Sequence, residues 1–184
     1  RGSFVAVAQQ ATSPFPGTAK ALRIGVTTAQ PTLSADDELS IVLPIEGVRA
    51  ARLAFGGVDA VPLSLGFWFS AHRPGTYSGA VRNGANDRSF PFAFTVAAAD
   101  TRQWISLSGA NAIAGDVTGT WAKDTTLGLS VTICLAGGAA RLGTAGAWSA
   151  ADRSGASGTT NGVTATSDEF YIGNVLVLPG LYVP

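Results

Sequence analysis

Residues 61–94, VPLSLGFWFSAHRPGTYSGAVRNGANDRSFPFAF, constrain this chain more than any other segment. Three apolar, aromatic-rich runs are cut by Pro-Gly, Asn-Gly and Asn-Asp pairs, which turn a chain rather than extend it. Phe67 and Phe69, then Phe90, Phe92 and Phe94, recur at a spacing of two, so within each run the rings share one face of a pleated strand. The pattern predicts a β-meander whose rings build half of a sandwich core.

The rest of the chain keeps the same rhythm, with a strand candidate roughly every ten residues and turn chemistry between. Runs at 3–9, 21–28 and 39–46 come first, and Pro44 inside the third marks an edge or a bulge, because proline donates nothing to a ladder. VRAARLAF at 48–55 is the one candidate for a helical turn or two, crossing an end of the sandwich. Further strands are expected at 101–109, where Trp104, Ser106 and Ser108 oppose Ile105 and Leu107, at 127–135, and at 169–178. Leu127, Leu129, Val131, Ile133 and Leu135 hold strict alternation in the second of these, the mark of a half-buried strand. Residues 136–162 are rich in Gly, Ala, Ser and Thr around Trp148 and are expected to lack regular structure. The expected fold is all-β: a jelly-roll β-sandwich of 8–10 antiparallel strands with one short edge helix, forming a single domain over 1–184. Residues 179–184 are expected to lead to a further segment, and the opening at Arg1, without a signal-peptide pattern, suggests a fragment or processed product.

Composition narrows the function. Twelve basic residues balance twelve acidic ones with no basic run, which argues against nucleic acid as a partner. No apolar stretch reaches the roughly 20 residues of a membrane helix, so membrane insertion is not expected. Charged residues make up only 13% of the chain, a composition suited to a surface shared with other subunits. The single cysteine, Cys134, lies in a strand interior and reads as a small buried hydrophobe.

Catalytic chemistry finds little support. His72 is the one histidine and sits in a turn, AHRPG, with no nucleophile motif in the chain, and one His with one Cys does not make a zinc site. Two carboxylates would suffice for glycoside hydrolysis, but most of the twelve lie in loops where such residues ordinarily form turns. No cofactor is expected. Asp168 and Glu169 leave a structural calcium open, without an EF-hand spacing behind it.

Aromatic rings are the remaining handle, since tryptophans stack against the apolar faces of sugars. Trp68 sits in a strand between two phenylalanines that face the other way, and Trp104 and Trp121 lie in or near strands where a core role is expected. Trp148, in the loop TAGAWSAAD, has the strongest claim to exposure. The candidate glycan contacts are Trp148, Trp121, Asp124, Trp68 and Asp152, carried largely by loops 109–126 and 136–162.

Taken in order, IEGVRAARLAFG at 45–56, LSLGFWFSAHRPGTYSGAVRN at 63–83, GTW at 119–121, TAGAW at 144–148 and EFYIGNVLV at 169–177 resemble the jelly-roll, carbohydrate-binding-module-like domains of tailed-phage fibre and spike proteins and of phage-derived particles such as gene transfer agents. Ser70 stands where that pattern often has arginine, and VLVLPG closes the last strand where glutamate is usual. The resemblance implies a non-catalytic module on the exposed surface of a virion, often a homotrimer, joined to other virion proteins and binding host cell-surface polysaccharide for adsorption. A capsid or tail decoration protein without glycan binding is the alternative. A depolymerase using two carboxylates is a third reading, and no enzyme is the expectation.

Overall fold

A computed structural model describes residues 5–182. Residues 3 and 4 of the expected first strand, and 183 and 184 of the expected junction, lie outside the described residues. In chain order the strands are β1 (Val5–Thr12), β2 (Lys20–Thr28), β3 (Glu38–Glu46), β4 (Leu63–Ala71), β5 (Gly75–Asn83), β6 (Ser89–Val96), β7 (Gln103–Leu107), β8 (Leu127–Gly137), the two-residue β9 (Leu142–Gly143) and β10 (Gly155–Ala156), and β11 (Glu169–Pro179). One short helix, α1 (Gly47–Ala50), runs on as a 3-10 turn over Ala51–Leu53.

Two sheets form the sandwich, one ordered β1-β2-β11-β4-β7 and the other β3-β8-β5-β6. Setting aside β1, which only extends the first sheet, the order interleaves the first and last strands, β2 and β11, on one sheet and their inner neighbours, β3 and β8, on the other. That wiring is the jelly roll. The pairs within the two sheets are antiparallel, and the chain changes sheet at most connections; the β1–β2 and β5–β6 hairpins each stay within one.

The meander expectation fails at one corner. β4 belongs to the five-stranded sheet, whereas β5 and β6 belong to the four-stranded one. Between them the chain turns at His72–Pro74, where the Tyr77 hydroxyl donates to the Arg73 carbonyl at 2.9 Å and the Arg73 guanidinium reaches Asp168 at 3.1 Å. The phenylalanines therefore meet from opposite sides. Phe94 packs edge-on against Phe67 at 5.4 Å and against Phe69 at 5.1 Å, closing the core between the sheets.

The outer faces of the two sheets differ. Over the four-stranded sheet lies a strap, residues 138–163, which is not structureless: β9 and β10 pair in parallel within it. Small residues let it lie flat, since a side chain at Gly155 would come within 2.9 Å of Cys134 Cβ. Of its own residues, Ser154, Ala156 and Val163 are buried, and the Ser89 hydroxyl donates to the Ala151 carbonyl at 2.7 Å. Asp152 fastens the strap by bridging Arg82 at 2.8 Å and Arg141 at 2.9 Å. Among the described residues the five-stranded sheet has no comparable cover over its centre.

Candidate functional site

Strand alternation decides which aromatics reach solvent. In β4, Leu65, Phe67 and Phe69 point into the core, so Trp68 between them stands on the outer face of the five-stranded sheet. In β7, Ile105 points inward and Trp104 outward. The register sets Trp68 directly opposite Trp104, and their rings meet edge-on at 5.6 Å with 64° between planes. Both are half-buried. Phe15, from the β1–β2 loop, stacks on Trp68 at 5.9 Å and seats the indole from the other side. Its place depends on Gly173 in β11, where a Cβ would come within 3.0 Å of the Phe15 ring.

Beyond the tryptophans the sheet is cut by a bulge. The β11–β4 register shifts between Gly173 and Leu176, and Asn174 adopts a left-handed backbone, φ 51°, that asparagine tolerates better than most residues. The bulge swings Asn174 and Val175 beside the rings and makes an open depression of about 570 Å³ lined by Trp68, Trp104, Asn174, Val175 and Leu176. No lining residue carries a charge. The exposed Asn174 side chain makes no hydrogen bond among the described residues, so its amide can donate to and accept from a ligand. Farther along the same face, Arg23 and Glu169 neutralise each other at 2.6 Å, and the hydrogen bond to Glu169 raises the Arg23 pKa.

The five residues chosen from sequence separate into four places. Trp68 lies at the centre of this surface. Trp121 and Trp148 close one end of the sandwich: Phe55 contacts Trp121 at 4.8 Å and Trp148 at 5.7 Å, the two indoles meet at 5.5 Å, and Phe90 packs on Trp148 at 5.3 Å. Both indole N–H groups are spent internally, Trp121 donating to the Thr118 carbonyl at 3.1 Å and Trp148 to the Ala114 carbonyl at 2.8 Å. Arg88 lies 5.8 Å from the Trp148 ring and is itself held by Asp116 through two hydrogen bonds of 2.8 Å. Trp148 therefore works as a lid folded onto the core, because a flat ring in a small-residue loop buries apolar area only by lying down. Asp124 is exposed and caps its own turn through the Thr126 N–H and hydroxyl, an arrangement that lowers its pKa. Asp152 belongs to the strap's fastening. None of these four adjoins Trp68.

Trp104 was expected in the core and instead completes the surface. The signal was present in its alternation against Ile105, which puts an aromatic out of phase with the buried face.

Other chemistry is occupied structurally. Asp168 faces Arg73 and accepts from the Ala165 N–H at 2.8 Å, while Glu169 faces Arg23, so the two carboxylates do not converge. Among the described residues no group of three His, Cys, Asp or Glu gathers as a cation site. His72 is exposed and contacts Asp100 at 3.1 Å. Cys134 is buried under the strap, and burial followed by the charge of Glu38 pushes its thiol up to about 12. Among the described residues no helix is long and apolar enough to cross a membrane.

No family model matches this chain, and no curated protein sequence does. Among solved structures it is similar to the family 11 carbohydrate-binding module from Clostridium thermocellum in complex with a β-1,3-1,4-mixed-linked tetrasaccharide, at 11% identity and TM-score 0.47, covering 98% of this chain and 86% of that one. It is similar also to a structure described as CBM4, at 12% identity and TM-score 0.41, covering 96% of this chain and 94% of that one. An exo-β-agarase matches at 12% identity and TM-score 0.47, over 96% of this chain and 22% of that one. The strand order of this chain displays the jelly-roll sandwich on its own.

Proposed function

We propose that this domain is a non-catalytic glycan-binding module whose binding surface is the outer face of the five-stranded sheet. The observation that carries the proposal is the paired, half-exposed Trp68 and Trp104 beside an unengaged Asn174 amide, on the sheet face that no strap covers. The rings offer apolar platforms for a sugar face and Asn174 offers a hydrogen-bond donor and acceptor for hydroxyls. The absence of charge from the lining favours a neutral polysaccharide. The order of sequence motifs supports a setting on the surface of a phage or phage-like particle, with host cell-surface polysaccharide as the ligand and a homotrimer as the assembly. A decoration role gains some support from Val42, Leu43 and Val48, which are exposed along one edge.

Affinity electrophoresis in gels containing neutral polysaccharides of host envelopes tests the assignment. The wild-type chain is expected to be retarded, and Trp68→Ala or Trp104→Ala to weaken binding about tenfold or more, the equivalent of roughly 1.4 kcal/mol. Trp148→Ala is expected to lower thermal stability and leave the affinity of the folded fraction unchanged. Full retention by Trp68→Ala and Trp104→Ala would remove this surface from consideration.

A further inference from the structure

A second concave feature lies away from the tryptophans, along the side of the sandwich where the sheets part. Strand β2 pairs with β11 only as far as Leu22 opposite Ile172, whereas β4 stays paired with β11 to Leu63 opposite Pro179. From Asn174 to Pro179, β11 therefore has a strand on one side and, among the described residues, none on the other. Facing this gap is β3, the edge of the other sheet, with Val42 48% and Leu43 37% exposed. Between them runs a groove of about 460 Å³. Its floor is the core itself, Leu53, Leu63 and Leu129, and its walls include Ile45 of β3 and Val177 of β11.

Two arginines stand at the lip. Arg49 makes only a loose contact with Glu46, 3.8 Å between two largely exposed side chains. Arg52 is exposed and has no acidic partner among the described residues. Aliphatic lining with one unpaired cation, Arg52, and one loosely paired cation, Arg49, selects a ligand that is apolar along its length and acidic at a point.

The wall formed by β11 decides the ligand's backbone. Every second residue of a strand turns its N–H and C=O away from the one existing neighbour, and in this stretch those groups point to the side that β2 leaves open. An acyl chain lying there would cover them without pairing them, and a buried polar group left unpaired opposes binding. An extended peptide would pair them and send alternate side chains down onto the leucines.

We propose that this groove is a strand-addition site for an extended peptide with alternating aliphatic side chains and an acidic residue that meets Arg49 and Arg52. The peptide continues the five-stranded sheet beside β11, in the place that β2 leaves. The site is separate from the aromatic surface and does not depend on glycan binding.

Fluorescence polarisation tests it with the full chain and a fluorescein-labelled peptide in which valine alternates with threonine and which ends in glutamate. A saturable rise is expected, weakened about tenfold in Arg52→Glu, an exposed change whose fold is checked by its melting temperature. The same peptide N-methylated at alternate amides, which keeps its side chains but cannot form a ladder, is expected not to bind. Amide exchange at Val175–Leu178 is expected to slow when the unmodified peptide is present. Absence of saturable binding, equal binding of the N-methylated peptide, or displacement of the peptide by dodecanoate at lower concentration than by unlabelled peptide would each overturn the proposal. Self-association of the chain that Arg52→Glu abolishes would assign the groove to a second copy and overturn it equally.

Discussion

Arg88 and Asp116 show how single residues hold the aromatic end of this sandwich. The Asp116 side chain is 2% exposed and that of Arg88 16%, and two hydrogen bonds of 2.8 Å join them beneath Trp148. Burial acts to raise the Asp116 pKa, but the hydrogen bonds from Arg88 and Thr118 outweigh it and the net shift is downward from 3.8. A carboxylate depressed on folding contributes stability that is fully present above its unfolded pKa, near 3.8, and is lost as pH falls through the lower folded value. Stability from this pair should thus hold through neutral and mildly acidic pH and decline below about pH 4. Asp116→Asn leaves a mostly buried guanidinium without its counter-charge, and should cost about 3–5 kcal/mol in denaturant unfolding at pH 7. The variant should also lose part of the acid-side slope. An unchanged midpoint would mean that the pair contributes nothing net. At this scale the four tryptophans were the hardest to place from sequence. Trp148 looked exposed because its neighbours are glycine, alanine and serine, but those same small residues let the loop lie close enough for the ring to reach Phe55 and Phe90. Trp104 and Trp68 carried a clearer signal in their alternation, Trp68 lying between the core residues Phe67 and Phe69 and Trp104 beside the core residue Ile105.

Elements divide into those whose pattern is local and those whose place is not. Strands β4 to β6 and β8 were legible because a period of two needs only neighbouring residues. Their assignment to sheets was not, because a turn such as Arg73–Pro74 can fold a hairpin or carry the chain across the core. Which it does depends on partners far away in sequence, here Asp168. The strap was legible as glycine-rich and hidden as a cover, since its place is set by contacts with β5, β6 and β8 as well as by its own β9–β10 pairing. That cover makes a prediction about Cys134, whose thiol sits under Gly155 and is held up to about 12 by burial and then by Glu38. Labelling by a disulfide reagent at pH 8 should proceed only as fast as the strap or the whole domain opens. In Gly155→Val the new side chain collides with Cys134, so stability should fall by about 1–3 kcal/mol and labelling should accelerate at least tenfold. Rapid labelling of the wild-type protein would show that the strap does not seal the sheet.

As a whole, the molecule is a sandwich with one outer face fastened shut and the other bare. The closed face spends its polar groups internally, through Asp152 with Arg82 and Arg141 and through Ser89 with the strap backbone. The bare face keeps two tryptophans and an asparagine amide facing solvent, around a bulge that no sequence period announces. Fold class was legible because side chains alternate between the two faces of every strand, although β8, expected to be half-buried, is buried on both faces beneath the strap. The surface was only half legible, because exposure depends on which long loop lies across which sheet.

The indole N–H resonances of the four tryptophans separate the two ends of the molecule in one experiment. In a nitrogen–proton correlation spectrum recorded while a bound neutral polysaccharide is titrated in, the Trp68 and Trp104 signals should move or broaden. Those of Trp121 and Trp148, hydrogen-bonded to the Thr118 and Ala114 carbonyls, should stay in place. Movement of the Trp121 and Trp148 signals with Trp68 and Trp104 unmoved would contradict the assignment of the bare sheet face as the binding surface.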